Sequence, residues 1–226
     1  MSGILYLTAI PIGNYDDITV RALNMLKAVD VVVCEERNEG SKLLKHYGIE
    51  KPIEMLNEHN EAAAASIILD KLKQGASVAL ISDSGTPVFS DPGRILVNKA
   101  IQANIHIVPL PGASSLLPAL IVSGFNIKEF VFAGFLSPKR ERRLTELHAF
   151  RKETRTVVFM DTPYRLVQLI RDIADVFQET RRICIAFDLT MPTEKIFYGT
   201  GPKLYQQFLK EERKGEFVVV LEGKSR

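Results

Sequence analysis

The first half of the chain alternates short apolar runs with segments of helical periodicity. Four apolar runs, at residues 4–10, 31–34, 78–81 and 105–108, are too short for typical helices and are bounded by turn residues, as buried strands are. The segments between them carry apolar residues on one helical face. Because strands that alternate with helices form parallel sheets covered by helices on both faces, we predict this fold for the first half.

The second half predicts a different sheet. Its apolar runs lie at residues 130–135, 156–160, 183–187, 195–198 and 217–221. Two of these runs lie so close together that no crossover helix fits between them, which indicates a mixed sheet. A chain of 226 residues is long enough for two such domains. We predict an N-terminal α/β domain at residues 1–125 and a C-terminal mixed α/β domain at residues 126–226.

Several helix starts are predicted from local capping signals. Asp91 is predicted to be an N-cap with Pro92 as the first helical residue, and Ser41 is predicted to cap a short helix. The first helix has three candidate caps, which are Asp16, Asp17 and Thr19. These signals use only neighbouring residues, so each predicts a local structure that the rest of the fold can override.

Three loops of the first half predict a binding site. They follow the first, third and fourth apolar runs, at residues 11–14, 83–87 and 111–115, and they are rich in Gly, Pro, Ser and Thr. Ligands of open α/β sheets bind at the carboxyl ends of the strands. Backbone donors with few cations suit a ligand with hydroxyl and amide groups better than a polyphosphate. Asp83 is predicted to accept hydrogen bonds from ribose hydroxyls or to neutralise a cation.

Composition and charge limit the function. A net charge of +2 does not by itself indicate a nucleic-acid partner. The basic cluster at residues 139–143 is typical of a solvated helix face, with RNA phosphates as the alternative. No apolar stretch approaches the roughly 18 residues that span a bilayer, so no membrane partner is predicted. Cys34 and Cys184 lie in apolar runs, which indicates buried thiols of a cytoplasmic protein, and no ligand spacing predicts a metal site.

Taken in order, segments along nearly the whole chain resemble the tetrapyrrole methylase superfamily. Within it, the chain most resembles the ribosomal RNA small subunit methyltransferase I family, which methylates a cytidine 2′-hydroxyl. The matching segments lie at residues 5–14, 17–23, 43–49, 58–61, 82–93, 108–115, 134–136 and 215–218. Each segment is weakly specific alone, but their order makes the resemblance strong.

The resemblance implies two α/β domains with S-adenosylmethionine bound in the cleft between them. It also implies a cytoplasmic homodimer whose partner is ribosomal RNA or the small ribosomal subunit. By position, the donor would be lined from the first domain by Pro11, Asp83, Gly85, Thr86, Pro87, Ser114 and Ser115. From the second domain it would be lined by Phe159, Met160 and Phe187.

Methylation of a hydroxyl is helped by a base or a strong hydrogen-bond acceptor. The candidates are Glu36, Glu58 and His59, which lie in polar segments of the first domain. Asn14 and Asn60 could orient the acceptor, and both are also plausible caps or loop residues.

The sequence departs from the RNA methyltransferase pattern at several places. Residues 35–40 read EERNEG where the family reads E-D-T-R-x-T, residues 161–165 read DTPYR for E-S-P-H-R, and residues 187–190 read FDLT for R-E-L-T. The family also continues into a helical extension beyond the end of this sequence. These departures leave two alternatives open. One is methylation of a tetrapyrrole or a modified protein, and the other is a non-catalytic S-adenosylmethionine-binding module.

Overall fold

The computed structural model describes residues 2–211 and 213–224. The chain divides into two compact units, Met1–Ser114 and Ser115–Arg226. Helix α5, Leu116–Ser123, lies before the domain boundary predicted after residue 125, and it packs against two strands of the second unit. Nowhere in the described ranges is a helix both long and apolar enough to cross a membrane.

The sheet of the first unit has five described strands, all parallel to their neighbours. They are β1 Ile4–Thr8, β2 Val31–Cys34, β3 Ile53–Met55, β4 Val78–Leu80 and β5 His106–Leu110. Their order across the sheet is β3-β2-β4-β1-β5. The predicted parallel sheet is confirmed. Strand β3 was not predicted, because three half-buried residues with a central glutamate give almost no strand signal.

Helices cover both faces of this sheet. They are α1 Val20–Ala28, α2 Arg37–His46, α3 Glu61–Lys73 and α4 Arg94–Gln102. Side chains of β2 alternate between two cores: Val31 and Val33 pack with α3 and α4, whereas Val32 and Cys34 pack with α1 and α2. Burial on both faces explains why the strands are continuous apolar runs rather than alternating ones.

Two predicted helix starts are wrong. Helix α4 begins at Arg94 and not at Asp91–Pro92, because the carboxylate of Glu61 accepts hydrogen bonds from the backbone N–H groups of Gly93 and Ile95, both at 2.9 Å. Helix α2 begins at Arg37, four residues before the predicted cap Ser41. The cap predicted at Thr19 is confirmed, since its Oγ1 accepts from the Ala22 N–H at 3.1 Å.

The sheet of the second unit is mixed, as predicted. Its described strands are β6 Phe130–Phe135, β7 Thr156–Asp161, β8 Arg182–Phe187, β9 Lys195–Thr200 and β10 Phe217–Leu221. The order is β6-β7-β10-β8-β9. The pair β6–β7 is parallel, and the other three pairs are antiparallel.

Besides α5, the helices of the second unit are α6 Arg140–Ala149, α7 Leu166–Phe177 and α8 Gly201–Lys210. A short 3-10 turn at Pro163–Arg165 separates β7 from α7, and the chain becomes α-helical only at Leu166. Helix α8 was not predicted, although Pro202 in its first turn is a start signal.

Candidate functional site

The three predicted loops meet at one edge of the first sheet. Because β4, β1 and β5 are adjacent and parallel, their carboxyl ends lie side by side. The Ile10 N–H donates to the Gly85 carbonyl at 2.9 Å, and the Thr86 hydroxyl donates to the Ala113 carbonyl at 3.2 Å. We call residues 9–14, 81–93 and 111–115 the three-loop edge. The predicted grouping of the loops is confirmed by these contacts.

The loops approach so closely that two glycines are required. Gly85 has a φ of +77°, and a Cβ built on it would lie 3.0 Å from Ile12 Cγ2. A Cβ on Gly112 would lie 3.0 Å from Ala9 Cβ and 3.4 Å from the Ala9 carbonyl oxygen. A side chain at either position would push the loops apart, so glycine at both positions lets the loops of the three-loop edge pack this closely.

The longest loop is also strained. Val88 and Ser90 have φ values of 70° and 68°, a region that costs a non-glycine residue about 1–3 kcal/mol. For a β-branched residue such as Val88 this conformation is a true outlier. Strained backbone persists where the surroundings fix it, and it clusters at ligand-binding sites. The strain therefore supports a binding role for this loop.

Carboxyl groups gather beside the same loop. Asp83 Oδ1 accepts from the Glu36 backbone N–H at 3.1 Å. Burial raises the pKa of Asp83, and the charges of Glu36 and Glu39 add to the shift although this hydrogen bond opposes it. Burial and the neighbouring Asp83 raise the pKa of Asp91 to about 6.

Glu35 is the third carboxyl of this group. Burial raises its pKa, and the charges of Asp83 and Asp91 add to the shift. We call Glu35, Asp83 and Asp91 the acidic group. Its members repel one another, so the group favours a ligand that brings positive charge or hydrogen-bond donors.

The predicted bases lie at the carboxyl ends of β2 and β3. Glu36 is exposed and precedes α2, and its backbone connects it to Asp83. Glu58 Oε1 and His59 Nε2 lie 3.5 Å apart, with side chains 78% and 85% exposed. The two form a solvent-facing pair after the edge strand β3, and their catalytic role stays a prediction.

Both predicted acceptor-orienting residues hold local structure. Asn14 Oδ1 accepts from the Asp16 N–H at 3.0 Å and caps a 3-10 turn at Tyr15–Asp17. Asn60 Oδ1 accepts from the Asn57 N–H at 2.8 Å, and its amide donates to the Met55 carbonyl at 3.3 Å. Contact of these amides with a substrate stays a prediction.

The other predicted donor-site residues differ in exposure. Pro11, Gly85 and Pro87 are buried, whereas Thr86 is exposed. Ser114 is the last residue of the first unit, and Ser115 precedes α5. In the second unit, Phe159 and Phe187 are buried in the core at 0% and 2% exposure, and Met160 is half-buried. Ligand contact at Phe159 and Phe187 stays a prediction.

The basic cluster at residues 139–143 is not a solvated face throughout, contrary to prediction. The Arg143 guanidinium is 3% exposed and lies 2.7 Å from Asp172, a fully buried carboxylate of α7. Arg140 also binds Asp172 at 3.0 Å and Asp175 at 2.9 Å. Most of the cluster's charge is thus neutralised within the fold, which weakens its candidacy as an RNA-binding patch.

One known protein family matches most of this chain. The sequence matches the profile of the Tetrapyrrole (Corrin/Porphyrin) Methylases over residues 5–205. The chain belongs to this family. Tetrapyrrole methylases are methyltransferases, so the predicted enzyme class is confirmed.

Relatives of known name extend the match to nearly the whole chain. A Haemophilus influenzae protein named ribosomal RNA small subunit methyltransferase I is 42% identical over 226 residues, 99% of this chain and 80% of that protein. Proteins of the same name from Synechocystis and Escherichia coli O157:H7 are each 39% identical, cover 98% of the chain, and are themselves covered to 79% and 78%. The predicted resemblance is confirmed despite the departures described above.

Solved structures of tetrapyrrole methylases have the same fold. Cobalt precorrin-4 methyltransferase matches 97% of this chain and 94% of its own with a TM-score of 0.71 at 16% identity. Uroporphyrin-III-C-methyltransferase from Thermus thermophilus matches the same shares with a TM-score of 0.66 at 18% identity. These matches confirm the predicted two-sheet α/β fold class.

Two carboxyl residues of this tetrapyrrole methylase were missed in the sequence, Asp91 in the three-loop edge and Glu35 near it. Asp91 was assigned to helix capping, and Glu35 was named only as part of a divergent segment. Position offered a signal for Glu35, because it directly follows a buried strand. Among the described residues, no three His, Cys, Asp or Glu side chains group as metal ligands would.

Proposed function

We propose that this methyltransferase transfers a methyl group from S-adenosylmethionine to a cytidine 2′-hydroxyl in small-subunit ribosomal RNA. One observation carries the proposal, which is the 42% identity over 99% of the chain to a relative of that name. The interlocked three-loop edge supports it, because residues on this edge are those that the family resemblance assigns to the donor.

The residues of the three-loop edge fit S-adenosylmethionine. Glycine-rich strand ends offer backbone groups to ribose hydroxyls and to the amino-acid part of the donor. The acidic group suits a positively charged ligand, and this fits a sulfonium better than a polyphosphate. When bound, S-adenosylmethionine supplies a methyl group that is already activated. By the resemblance, Pro11, Asp83, Gly85, Thr86, Pro87 and Ser114 of the first unit would hold it, together with Ser115, Phe159, Met160 and Phe187 of the second.

The chain's own contribution is positioning and proton handling. A hydroxyl acceptor loses its proton as its oxygen is methylated, so an acceptor group within reach helps the reaction. Glu36, Glu58 and His59 are the predicted proton acceptors. Asp91 is an additional candidate, since a pKa of about 6 leaves it mostly ionised at neutral pH and still able to take up a proton.

The remaining parts of the proposal rest on the resemblance. The protein would act as a cytoplasmic homodimer on ribosomal RNA or on the assembled small subunit. The alternative acceptors are a tetrapyrrole or a modified protein. A further alternative, which is not an enzyme, is a module that binds S-adenosylmethionine without catalysis.

The test has two stages. Calorimetric titration with S-adenosylmethionine comes first, followed by transfer of labelled methyl groups to small ribosomal subunits that lack the 2′-O-methyl group. We expect donor binding and labelling of one cytidine in the RNA. Donor binding without RNA labelling would reject the RNA acceptor and favour the alternatives, and absence of donor binding would reject the methyltransferase proposal.

A further inference from the structure

The second sheet has an edge whose chemistry differs from that of the three-loop edge. Strands β6 and β7 are parallel and end together, with Phe135 beside Met160. Strand β10 is antiparallel to β7 and β8, with Phe217 opposite Asp161 and opposite Phe187, so its first residues lie at the same edge. Strand β9 begins there too, because Lys195 lies opposite Phe187. We call Phe135, Tyr164, Lys195, Arg213 and Lys214 the aromatic edge.

Large aromatic rings are exposed on this edge. Tyr164, in the 3-10 turn that follows β7, is 78% exposed, and Phe135, the last residue of β6, is 52% exposed. Exposed rings on a folded surface are common singly, but two at neighbouring strand ends form a surface suited to stacking. Flat π-faces of this kind stack on the bases of single-stranded nucleic acids.

Cations accompany the rings. The Lys214 ammonium lies 5.7 Å from the centroid of the Tyr164 ring. The Arg213 guanidinium lies 5.3 Å from the Phe197 ring, and Lys195 lies 5.1 Å from the same ring. Cation–π contacts hold these positive charges at the edge and leave their solvent-facing side for an anion.

Carboxylates near these cations are largely engaged within the protein. Glu211 pairs with Arg213 at 3.1 Å, Asp188 accepts from the Thr193 hydroxyl at 2.8 Å, and Glu194 accepts from the Thr190 N–H at 2.6 Å. Lys195 lies within electrostatic range of Glu211 as well as over the Phe197 ring, whereas the described contact of Lys214 is the one with the Tyr164 ring. Among the described contacts, Lys214 is thus the cation of the aromatic edge that is not paired with a carboxylate.

The turn that presents Tyr164 is held from inside. Asp161, whose side chain is fully buried, accepts from the Thr162 N–H at 2.7 Å and forms an ion pair with Arg165. Arg165 also donates to the Leu136 carbonyl at 3.4 Å, which connects the turn to the end of β6. Buried ion pairs contribute little net stability, and their clearest use is to fix one conformation.

The anchoring pair is incompletely satisfied. Among the described residues, Asp161 Oδ2 and Arg165 Nη1 are buried and have no hydrogen-bond partner. Leaving a buried polar group unpaired costs about 1–3 kcal/mol, so a purely structural turn would be better made with apolar side chains. The pair therefore fixes the turn that carries Tyr164 at some cost in stability.

We propose that the aromatic edge binds single-stranded RNA, with a nucleobase stacked on Tyr164 and a phosphate held by Lys214. The inference rests on the proposed function, which supplies RNA as the acceptor. The inference specifies where the second unit contacts that RNA. It assigns Tyr164 and Lys214 to substrate binding rather than to the methyl-transfer step.

The test measures RNA binding and donor binding separately on purified full-length variants. The RNA probe is a fluorescent 20-nucleotide single strand from the methylated region of the small-subunit RNA, and the donor probe is S-adenosylmethionine. We expect Tyr164→Ala to weaken RNA binding about tenfold or more, as loss of one stacked base does, and Tyr164→Phe to stay within about twofold of the parent. Donor affinity should not change in either variant.

Lys214→Ala tests the phosphate contact. We expect weaker RNA binding and a slope of log K against log salt that is smaller by about 0.7, the value for one phosphate contact on a single strand. Lys128→Ala is the matched control, because Lys128 is exposed just before β6 starts, at the opposite end of that strand. This variant should bind RNA as the parent does.

The outcomes separate the inference from the function beneath it. If the parent labels RNA but Tyr164→Ala and Lys214→Ala bind the probe as tightly as the parent, the aromatic edge is rejected and the proposed function stands. Normal binding of the probe with reduced methylation of whole subunits would instead indicate a ribosomal protein as the partner, and it would also reject the RNA contact. If the parent neither binds nor labels RNA, the proposed function fails first and the inference fails with it.

A second readout does not depend on affinity. RNA carrying 4-thiouridine should cross-link on irradiation to the peptide that contains Tyr164. Cross-links confined to other peptides would overturn the proposal even if the substitutions altered binding.

Discussion

The acidic group of the first unit and Asp172 of the second unit lie in opposite electrostatic environments. In the first unit, the acidic group of Glu35, Asp83 and Asp91 is partly buried without arginine or lysine as a described partner, and all three pKa values are raised. In the second unit, Asp172 is fully buried, and burial alone would raise its pKa. Hydrogen bonds from Arg143 and Arg140 outweigh that effect and lower it.

The difference separates structural charge from functional charge. Arg143 and Asp172 satisfy each other, and Arg143 also donates to the Ser137 and Pro138 carbonyls at 3.0 and 3.1 Å. Such a network fixes how α6 packs on α7, and losing one of its partners is costly. Carboxyls that repel one another beside strained loops cost stability instead, which is the expected condition of a binding site. The two groups should therefore respond in opposite ways to substitution.

The largest effect is expected where the paired charge is broken. Asp172→Ala leaves Arg143 buried without its carboxylate, and removing one partner of a buried ion pair typically costs about 3–5 kcal/mol. We expect the free energy of unfolding in urea to fall by that amount. A matched double variant, Arg143→Met with Asp172→Leu, should recover most of the loss. A single variant as stable as the parent would show that the pair is not structural.

Asp83→Ala should have a smaller effect, and on binding rather than on stability. Losing hydrogen bonds from a charged group to the donor costs about 1.5–3 kcal/mol, so we expect the Kd for S-adenosylmethionine to rise about tenfold to a hundredfold. Removing a carboxyl whose pKa is raised should leave thermal stability unchanged or improved.

Calorimetric titration with the donor provides the measurement, and Glu39→Ala is its control. Glu39 is exposed and lies on α2 within electrostatic range of Asp83. Unchanged donor affinity in Asp83→Ala would remove the central loop from the site.

The pH dependence should distinguish the groups further. The folded-state pKa of Asp91 is about 6 against an ordinary value of 3.8, so between these values the folded state binds a proton that the unfolded state has lost. Stability from this residue is therefore lost as the pH rises from about 4 to 6. Asp91→Asn should stabilise the protein above pH 6 by about 1–2 kcal/mol, allowing for solvent screening, and should have little effect near pH 4.

Asp172 should have the reverse pH dependence, since its lowered pKa contributes stability that is present above about pH 4 and lost on acidification.

Urea unfolding of the parent and Asp91→Asn at pH 4.5, 5.5 and 7 would measure the contribution of Asp91 to the pH dependence of stability. A difference between the two proteins that stays constant across this range would contradict the assignment to Asp91.

Sequence patterns predicted what depends on neighbouring residues. Apolar runs predicted the strands at residues 31–34, 130–135 and 217–221 with their observed bounds, and turn residues predicted which loops share an edge. The misplaced start of α4, in contrast, involves a distant partner. The cap of α4 comes from Glu61, 32 residues before Gly93, so the local signal at Asp91–Pro92 was misleading.

The partners of the basic cluster and of the acidic group show the same limit. From the sequence, Arg143 was predicted to be a surface cation. Its partner Asp172 lies 29 residues away in the chain, and only the fold places the two side chains in contact. The raised pKa of Asp91 similarly depends on Asp83 and on burial in a strained loop. The sequence alone therefore did not predict which charged side chains the fold brings together.

The smallest effect is expected for Arg142, whose exposed ion pair is the reference for the buried pair of Arg143 and Asp172. Arg142 belongs to the same basic cluster as Arg143, but its side chain is 77% exposed and pairs with Glu146 at 3.1 Å across one helical turn. Exposed pairs with this spacing contribute about 0.3–0.5 kcal/mol, so Arg142→Ala should lower the free energy of unfolding by no more than that. High salt should remove the difference from the parent, because exposed pairs are screened, whereas the loss in Asp172→Ala should persist. Urea unfolding at low and high salt measures both variants together. A loss in Arg142→Ala as large as that in Asp172→Ala would mean that burial does not separate the two arginines, and the contrast between paired structural charge and repelling functional charge would no longer hold.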